Sequence, residues 1–479
     1  MHDTSKKPNV LWITIDECKA SALSCYGNEH AITPHLDRLA GEGALFTQAF
    51  TVMPKCVPAR CSMMTGRYAH VEGHRTLPGF ELRHNEPHLF AEMKQRGYRT
   101  AMFGKNHTLE EDQQDRWLDA RTREAAGKAV RKTPVDGEDP VLFRAMYRKE
   151  LYESKEMSDT FAAEEACGFM EEHREHPFFV QVNFNQPHPA YVNIDPYIEQ
   201  IRKLGLPLPN KENIDQAPEV LARYRTVYDL EGMGEEQWRC IVEAYASMVA
   251  YADDCVGTLV EAVDRLGLRE ETIVLFTSDH GDFAGEHGCV EKWDTLFYDC
   301  LTHIPFILRY PGIIAPGERF DVLTENIDFM PTVMELLGAD IPAYVQGQSL
   351  MRVLQGEVRE HKEAVFSEGG VERKALARTT PYTDAFYQKL PQYSWKQQVM
   401  VEYPQTMDRA KMIRTRRWKM VFRWPGVKEL YDLKQDPGEL HNVADRPEHQ
   451  EILRQLTERL LIWALETEPD RPVIQDMRA

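Results

Sequence analysis

Five short runs rich in β-branched and aromatic residues, at 9–16, 98–103, 177–184, 272–279 and 304–308, are separated by long polar or helix-patterned stretches. Strand-like runs that alternate with helices restrict a chain to few folds, because parallel neighbours need long crossovers and helices supply them. The expected class is α/β, a large mostly parallel sheet sandwiched by helices. One of those helices is legible in Ile241, Tyr245, Met248, Ala252, Val256, Leu259, Val263 and Leu266, which recur at helical spacing and stop at Gly267.

A chain of 479 residues has room for one large domain and a smaller one. The character changes after about 370, where short strands and aromatic loops carry Tyr382, Phe386, Tyr387, Tyr393, Trp395 and Tyr403. We therefore expect a large α/β domain over 1–370 and an α+β C-terminal subdomain over 371–479. In the latter, 418–423 and 428–433 should pair antiparallel about Pro425-Gly426. A helix should follow from about Pro447, with Leu453, Leu456 and Leu460 inward. The charged, aperiodic stretch 109–140 reads as a surface insertion or lid.

Asp and Glu number 76 against 57 Lys and Arg, a net charge of −19, so the overall field repels polyanions and nucleic acid is not an expected partner. Apolar runs such as 10–13 fall far short of the roughly 20 residues that cross a bilayer, so no membrane partner is expected. The N-terminus lacks a long apolar stretch before a small-residue cleavage site, which implies a cytoplasmic location. Nine cysteines without Cys-x-x-Cys spacing suit a reducing compartment, with most, such as Cys167 and Cys240, as small buried packers. Oligomeric state is left open.

In open α/β sheets ligands bind beyond the carboxyl ends of the strands. Here those ends read Asp16-Glu17, Gly104-Lys105-Asn106-His107, Gln186-Pro187-His188-Pro189 and Ser278-Asp279-His280-Gly281. Carboxylates gathered at one edge repel one another unless a cation lies between them, so Asp16, Asp279 and His280 are candidate ligands of a divalent metal. Between the first two runs, Pro58 suits the first turn of a helix and Gly66 its end. That places Cys56 at the helix N-terminus, which attracts anions and acidifies thiols, with Arg60 one turn along.

The segment Cys56-Val-Pro58-Ala-Arg60 matches the Cys-x-Pro-x-Arg signature of the formylglycine-dependent sulfatases of the alkaline phosphatase superfamily. Gly104-Lys105-Asn106-His107, Pro187-His188, Asp253-Asp254 with Val256-Gly257, Asp279-His280-Gly281 with Lys292, and Glu429 to Asn442 resemble further family motifs in family order. The resemblance implies a sulfuric ester hydrolase of the alkaline phosphatase-like fold. It implies that a maturation enzyme converts Cys56 to formylglycine, whose hydrate attacks the sulfur of a sulfate monoester. By the same resemblance Lys105, His188 and Lys292 contact the sulfate, and His188 or Lys292 protonates the leaving oxygen. Arg60 holds the nucleophile, His107 is the base that releases sulfate, and His74 belongs to the substrate pocket together with His70.

Two positions depart from the commonest family pattern: Glu17 stands where a second Asp is usual, and His280 where Asn often is. The implied metal set is Asp16, Glu17, Cys56, Asp279 and His280. Calcium is the first choice of ion and manganese or magnesium the alternatives. The expected substrate is a small sulfate ester or sulfated saccharide. The rival activity is hydrolysis of phosphonate monoesters or phosphodiesters, a class in which the Lys/His pair of 105 and 107 is usually lost.

Overall fold

Strand β1 (Asn9–Ile15) is buried from end to end and feeds two cores: Leu11, Ile13 and Ile15 enter one, Val10 and Trp12 the other. A strand apolar on both faces belongs in a sheet covered twice. The computed structural model, which describes residues 7–74, 81–83, 85–122, 135–210, 217–371 and 394–468, has that architecture. The remaining main-sheet strands are β2 (Ala44–Phe50), β3 (Arg99–Gly104), β4 (Ala120–Arg121), β6 (Phe178–Phe184), β8 (Thr272–Ser278), β9 (His303–Ile304), β10 (Phe306–Arg309) and β11 (Glu318–Glu325). A two-stranded ladder pairs β5 (Tyr147–Glu153) with β7 (Tyr191–Asp195).

The order across the main sheet is β11-β2-β10-β8-β1-β6-β3-β4, with β9 on β2. Strands β8, β1, β6 and β3 are adjacent and parallel. The run at 304–308 differs from the parallel expectation: Pro305 divides it into β9 and β10, and β10 runs antiparallel to both β8 and β2. Strands β2 and β11 were not legible as strands, because their apolar residues alternate with Thr47, Gln48, Arg319 and Asp321. The helix Glu235–Arg265 extends the expected apolar stripe and packs it into the β1 Leu11 core.

The described residues of the 109–140 stretch belong to the fold, with Leu109 buried, Glu111–Trp117 helical and β4 extending the sheet edge, while 123–134 lie outside the described residues. Strands β12 (Val365–Gly369), β13 (Ala410–Arg414), β14 (Trp418–Arg423) and β15 (Val427–Asp432) form an antiparallel sheet. The β14/β15 pair and the helix Gln450–Glu466 match expectation, and Leu453, Leu456 and Leu460 are buried. Trp395 and Tyr403 pack on the core of the larger sheet, while Tyr382, Phe386, Tyr387 and Tyr393 lie outside the described residues. All nine cysteines are free, and Cys167 and Cys240 are half-buried, not fully packed. Among the described residues no helix is long and apolar enough to cross a membrane.

Candidate active site

Because β8, β1, β6 and β3 are parallel neighbours, their carboxyl ends deliver Asp279-His280, Asp16-Glu17, the His188 loop and Lys105 to one edge of the sheet. Strand β2 runs the same way, since β10 opposes both it and β8, and leads to the helix Cys56–Thr65 at that edge. Two close approaches demand glycine. A Cβ on Gly104, whose φ is 83°, would lie 2.1 Å from the Asn183 carbonyl oxygen, and one on Gly281 would lie 2.0 Å from that of Cys300.

The helix Cys56–Thr65 is buried throughout and ends at Gly66, a left-handed residue (φ 66°) whose N–H donates to the Ser62 carbonyl. Its start is pinned by Asn326, which accepts the Val52 N–H at 3.1 Å and donates to Thr51 Oγ1 at 3.2 Å and to the Ala59 carbonyl at 3.5 Å. Cys56 Sγ thereby sits 3.2 Å from His280 Nε2 and 3.6 Å from Asp16 Oδ1. Arg60 donates from Nε to Asp279 Oδ2 at 2.8 Å and from Nη2 to Asp16 Oδ2 at 2.9 Å, and Lys105 Nζ lies 2.7 Å from the same Asp16 oxygen.

One ligand atom from each of Asp16, Cys56, Asp279 and His280 lies within 4.8 Å of the others, the set that could hold a metal ion. The donor chemistry fits a divalent cation. His280 Nδ1 donates to the Gly281 carbonyl at 2.9 Å, which turns Nε2 toward the cluster. Arg60 Nη1 is buried without a hydrogen-bond partner and lacks an anionic oxygen, while burial and Asp282, to which Glu17 is hydrogen-bonded, hold the Glu17 carboxyl well above the usual carboxylate range. Glu17 stands outside the four-donor set but shares Asp16 with it, in a second grouping with His188, and its Oε2 meets Lys292 Nζ at 2.5 Å.

Electrostatics sort these groups. Burial pushes the Cys56 thiol up, as does Asp16, but Lys292, Lys105 and His280 outweigh both and hold it well below the usual thiol range. Burial likewise opposes ionisation of Asp16, and Lys105 and Arg60 override it. Burial, reinforced by Lys105, drives the imidazoles of His107 and His188 down to about 3, so both are neutral at physiological pH. His280 goes the other way: Asp279 and Cys56 raise it against burial. A bound cation would take the place of that proton.

A family model described as Sulfatase matches residues 8–339, and one described as N-sulphoglucosamine sulphohydrolase, C-terminal, matches 378–465. The chain belongs to the sulfatase family. It is a sulfuric ester hydrolase with the alkaline phosphatase superfamily fold. It is similar to the N-acetylglucosamine-6-O-sulfatase of Bacteroides thetaiotaomicron, with 25% identity over 98% of this chain and 88% of the relative. A solved 2-O GAG sulfatase superposes with a TM-score of 0.72 at 24% identity, covering 96% of this chain and 93% of its own. The phosphonate monoester hydrolase of Silicibacter pomeroyi superposes at 0.77 with 22% identity, over 97% and 96% of the two chains.

In this sulfatase, Asp16, Cys56, Arg60, Lys105, Asp279 and His280 are joined by direct contacts, and Glu17, His188 and Lys292 form an adjoining set. His107 borders both Lys105 and Arg60 electrostatically. His74 is buried with Nε2 2.8 Å from Glu86, and His70 is bonded to Glu368 at 2.7 Å, so each imidazole is engaged by a carboxylate. His287 stacks on Tyr298 at 3.9 Å.

Several buried groups escaped the sequence reading. Asp159 accepts the N–H groups of Asn185 and Gln186, both at 2.8 Å, and so shapes the His188 loop. Lys55 pairs with Asp294 at 2.6 Å and Lys396 with Glu291 at 2.6 Å. For Lys55 the signal was its place directly before Cys56. For Lys396 no local pattern marked it.

Proposed function

We propose that this sulfatase cleaves sulfate monoesters with the side chain at position 56 as nucleophile, after a separate maturation enzyme has oxidised Cys56 to formylglycine. The observation that carries the reading is the place of Cys56: a buried helix start in contact with Asp16 and His280 and within the field of Lys105 and Lys292. A divalent ion, calcium by our assignment with manganese or magnesium as alternatives, would be held by Asp16, Asp279, His280 and position 56, with Glu17 alongside. It supplies the positive charge that favours an ionised oxygen at position 56.

The remaining work falls to the chain's own side chains. Arg60 fixes Asp16 and Asp279 and orients the nucleophile. Lys105 and Lys292 bind sulfate oxygens and neutralise the charge that grows on them. Lys292 delivers a proton to the leaving alcohol, with His188 Nε2 3.4 Å away to share it. His107, held neutral by its surroundings, accepts the proton whose loss from position 56 releases sulfate.

The substrate we assign is a small sulfated mono- or oligosaccharide, in keeping with the names of the N-acetylglucosamine-6-O-sulfatase and the 2-O GAG sulfatase that the chain resembles. We divide the chain into a catalytic unit over 1–370 and a C-terminal subdomain over 371–479, with β12 reaching across into the smaller sheet. The likeness to a phosphonate monoester hydrolase motivates a second reading, phosphonate monoester or phosphodiester hydrolysis. Lys105 beside Asp16 and His107 beside Lys105 favour sulfate. Mass analysis of the Cys56 peptide, followed by rates on an aryl sulfate against an aryl phosphonate, tests both. An unmodified thiol in active enzyme refutes the nucleophile, and faster phosphonate turnover refutes the assignment of sulfate as the preferred group.

A further inference from the structure

Lys292 sits between two buried carboxylates, Glu17 Oε2 at 2.5 Å and Glu291 Oε1 at 3.5 Å, and its Nζ is 3.4 Å from His188 Nε2. A second ammonium reaches the same group from far along the chain. The helix Ser394–Glu402 carries Lys396, whose side chain is buried and places Nζ 2.6 Å from the same Glu291 oxygen. Glu291 thus has Lys396 as its close cation and Glu17 has Lys292, with the buried Asp282 also bordering Glu17.

We propose that Lys396 is a positioning residue: by neutralising Glu291 it keeps the Lys292 ammonium beside Glu17 and His188, where the sulfate group is handled. The inference deepens the reading of that site and rests on it. The neighbours cannot take over this role. Lys55 is committed to Asp294 at 2.6 Å. The Glu291 backbone is fixed, with a left-handed φ of 56° and its N–H donating to Tyr191 Oη at 2.7 Å, and its side chain is buried. Without Lys396, Glu291 keeps Lys292, 3.5 Å away, as its neighbouring ammonium, and in a poorly screened interior its uncompensated charge pulls that ammonium away from Glu17. Glu291 is the adjacent residue, so the flexible Lys292 side chain is the part that moves.

The test is a double-mutant cycle on the full chain with two readouts, kcat and KM on an aryl sulfate and affinity for inorganic sulfate by calorimetry. A displaced catalytic ammonium costs about a hundredfold, so Lys396→Met should lose about that factor in kcat and bind sulfate more weakly, while Lys396→Arg keeps both near wild type. Adding Glu291→Gln to Lys396→Met removes the competing anion and should restore kcat to within about tenfold of wild type. Near-normal kcat in Lys396→Met overturns the proposal. So does a double variant as slow as the single one, because Lys396 would then touch substrate or serve packing alone.

If Lys396→Met does not fold, the double variant, which leaves no unpaired buried charge, carries the test. Its kcat near wild type supports the proposal, and a loss as large as that of Lys292→Met overturns it. Sulfate affinity is also measured in a Cys56→Ala background, where no formylglycine can form. A chain that binds sulfate with the expected pattern but never turns over therefore refutes the proposed function without touching this inference.

Discussion

Arg60 offers the sharpest test of how the site is held together. It is fully buried and shared between Asp16 and Asp279, but the two carboxylates do not depend on it equally. Asp16 keeps Lys105 at 2.7 Å when Arg60 is lost, whereas Asp279 Oδ2 loses its cation, and only Oδ1 retains the N–H groups of Glu17 and His280 at 3.1 and 3.0 Å. Stranding one buried carboxylate costs about 3–5 kcal/mol. For a chain of 479 residues the unfolding entropy is about 1 kcal/mol per degree, so Arg60→Met should melt about 3–5 °C lower in chelator. Arg60 also repels any cation bound by the same carboxylates. Excess calcium should therefore raise the melting temperature more in Arg60→Met than in wild type and recover most of the loss, while turnover stays abolished. Thermal melts by circular dichroism with and without calcium read this directly. No loss in chelator, or equal calcium shifts in the two proteins, would refute the reasoning.

Cys56→Ala should abolish turnover while leaving the melt close to wild type, and measurable activity in that variant counts against the nucleophile. Asp279→Ala should purify with its metal content reduced to background by plasma mass spectrometry, and unchanged content refutes its role as a ligand. A pH effect is expected from His88, whose Nδ1 caps the helix Leu89–Gln95 by accepting the Ala91 N–H at 3.2 Å. Burial lowers its imidazole from 6.5 to about 4, so the neutral ring is required in the fold. Stability is full above about pH 6.5 and falls by about 3 kcal/mol as pH drops to about 4, because the unfolded chain takes the proton first. His88→Asn keeps a capping acceptor and should flatten urea-measured stability across that window, and an unchanged slope sinks the assignment.

Strands β1, β3 and β8 were readable because each is a mainly apolar run that stops at a charged residue, at Asp16, Lys105 and Asp279, and β6 because its apolar run leads to Pro187-His188. The helix of Cys56 was readable from Pro58 and Gly66, whose backbone preferences are local. Strands β2 and β11 were hidden because they mix polar residues into a buried path, a choice set by their neighbours and not by their own pattern. Chain order alone thus determined the fold class, the family motifs and the edge of the sheet where they meet. Only the tertiary structure decided that Glu17 turns to Lys292, that His74 pairs with Glu86, and that Lys396 reaches Glu291 across 105 residues. Backbone propensity acts between near neighbours, whereas the pairing of buried charges depends on which side chains the finished fold encloses together.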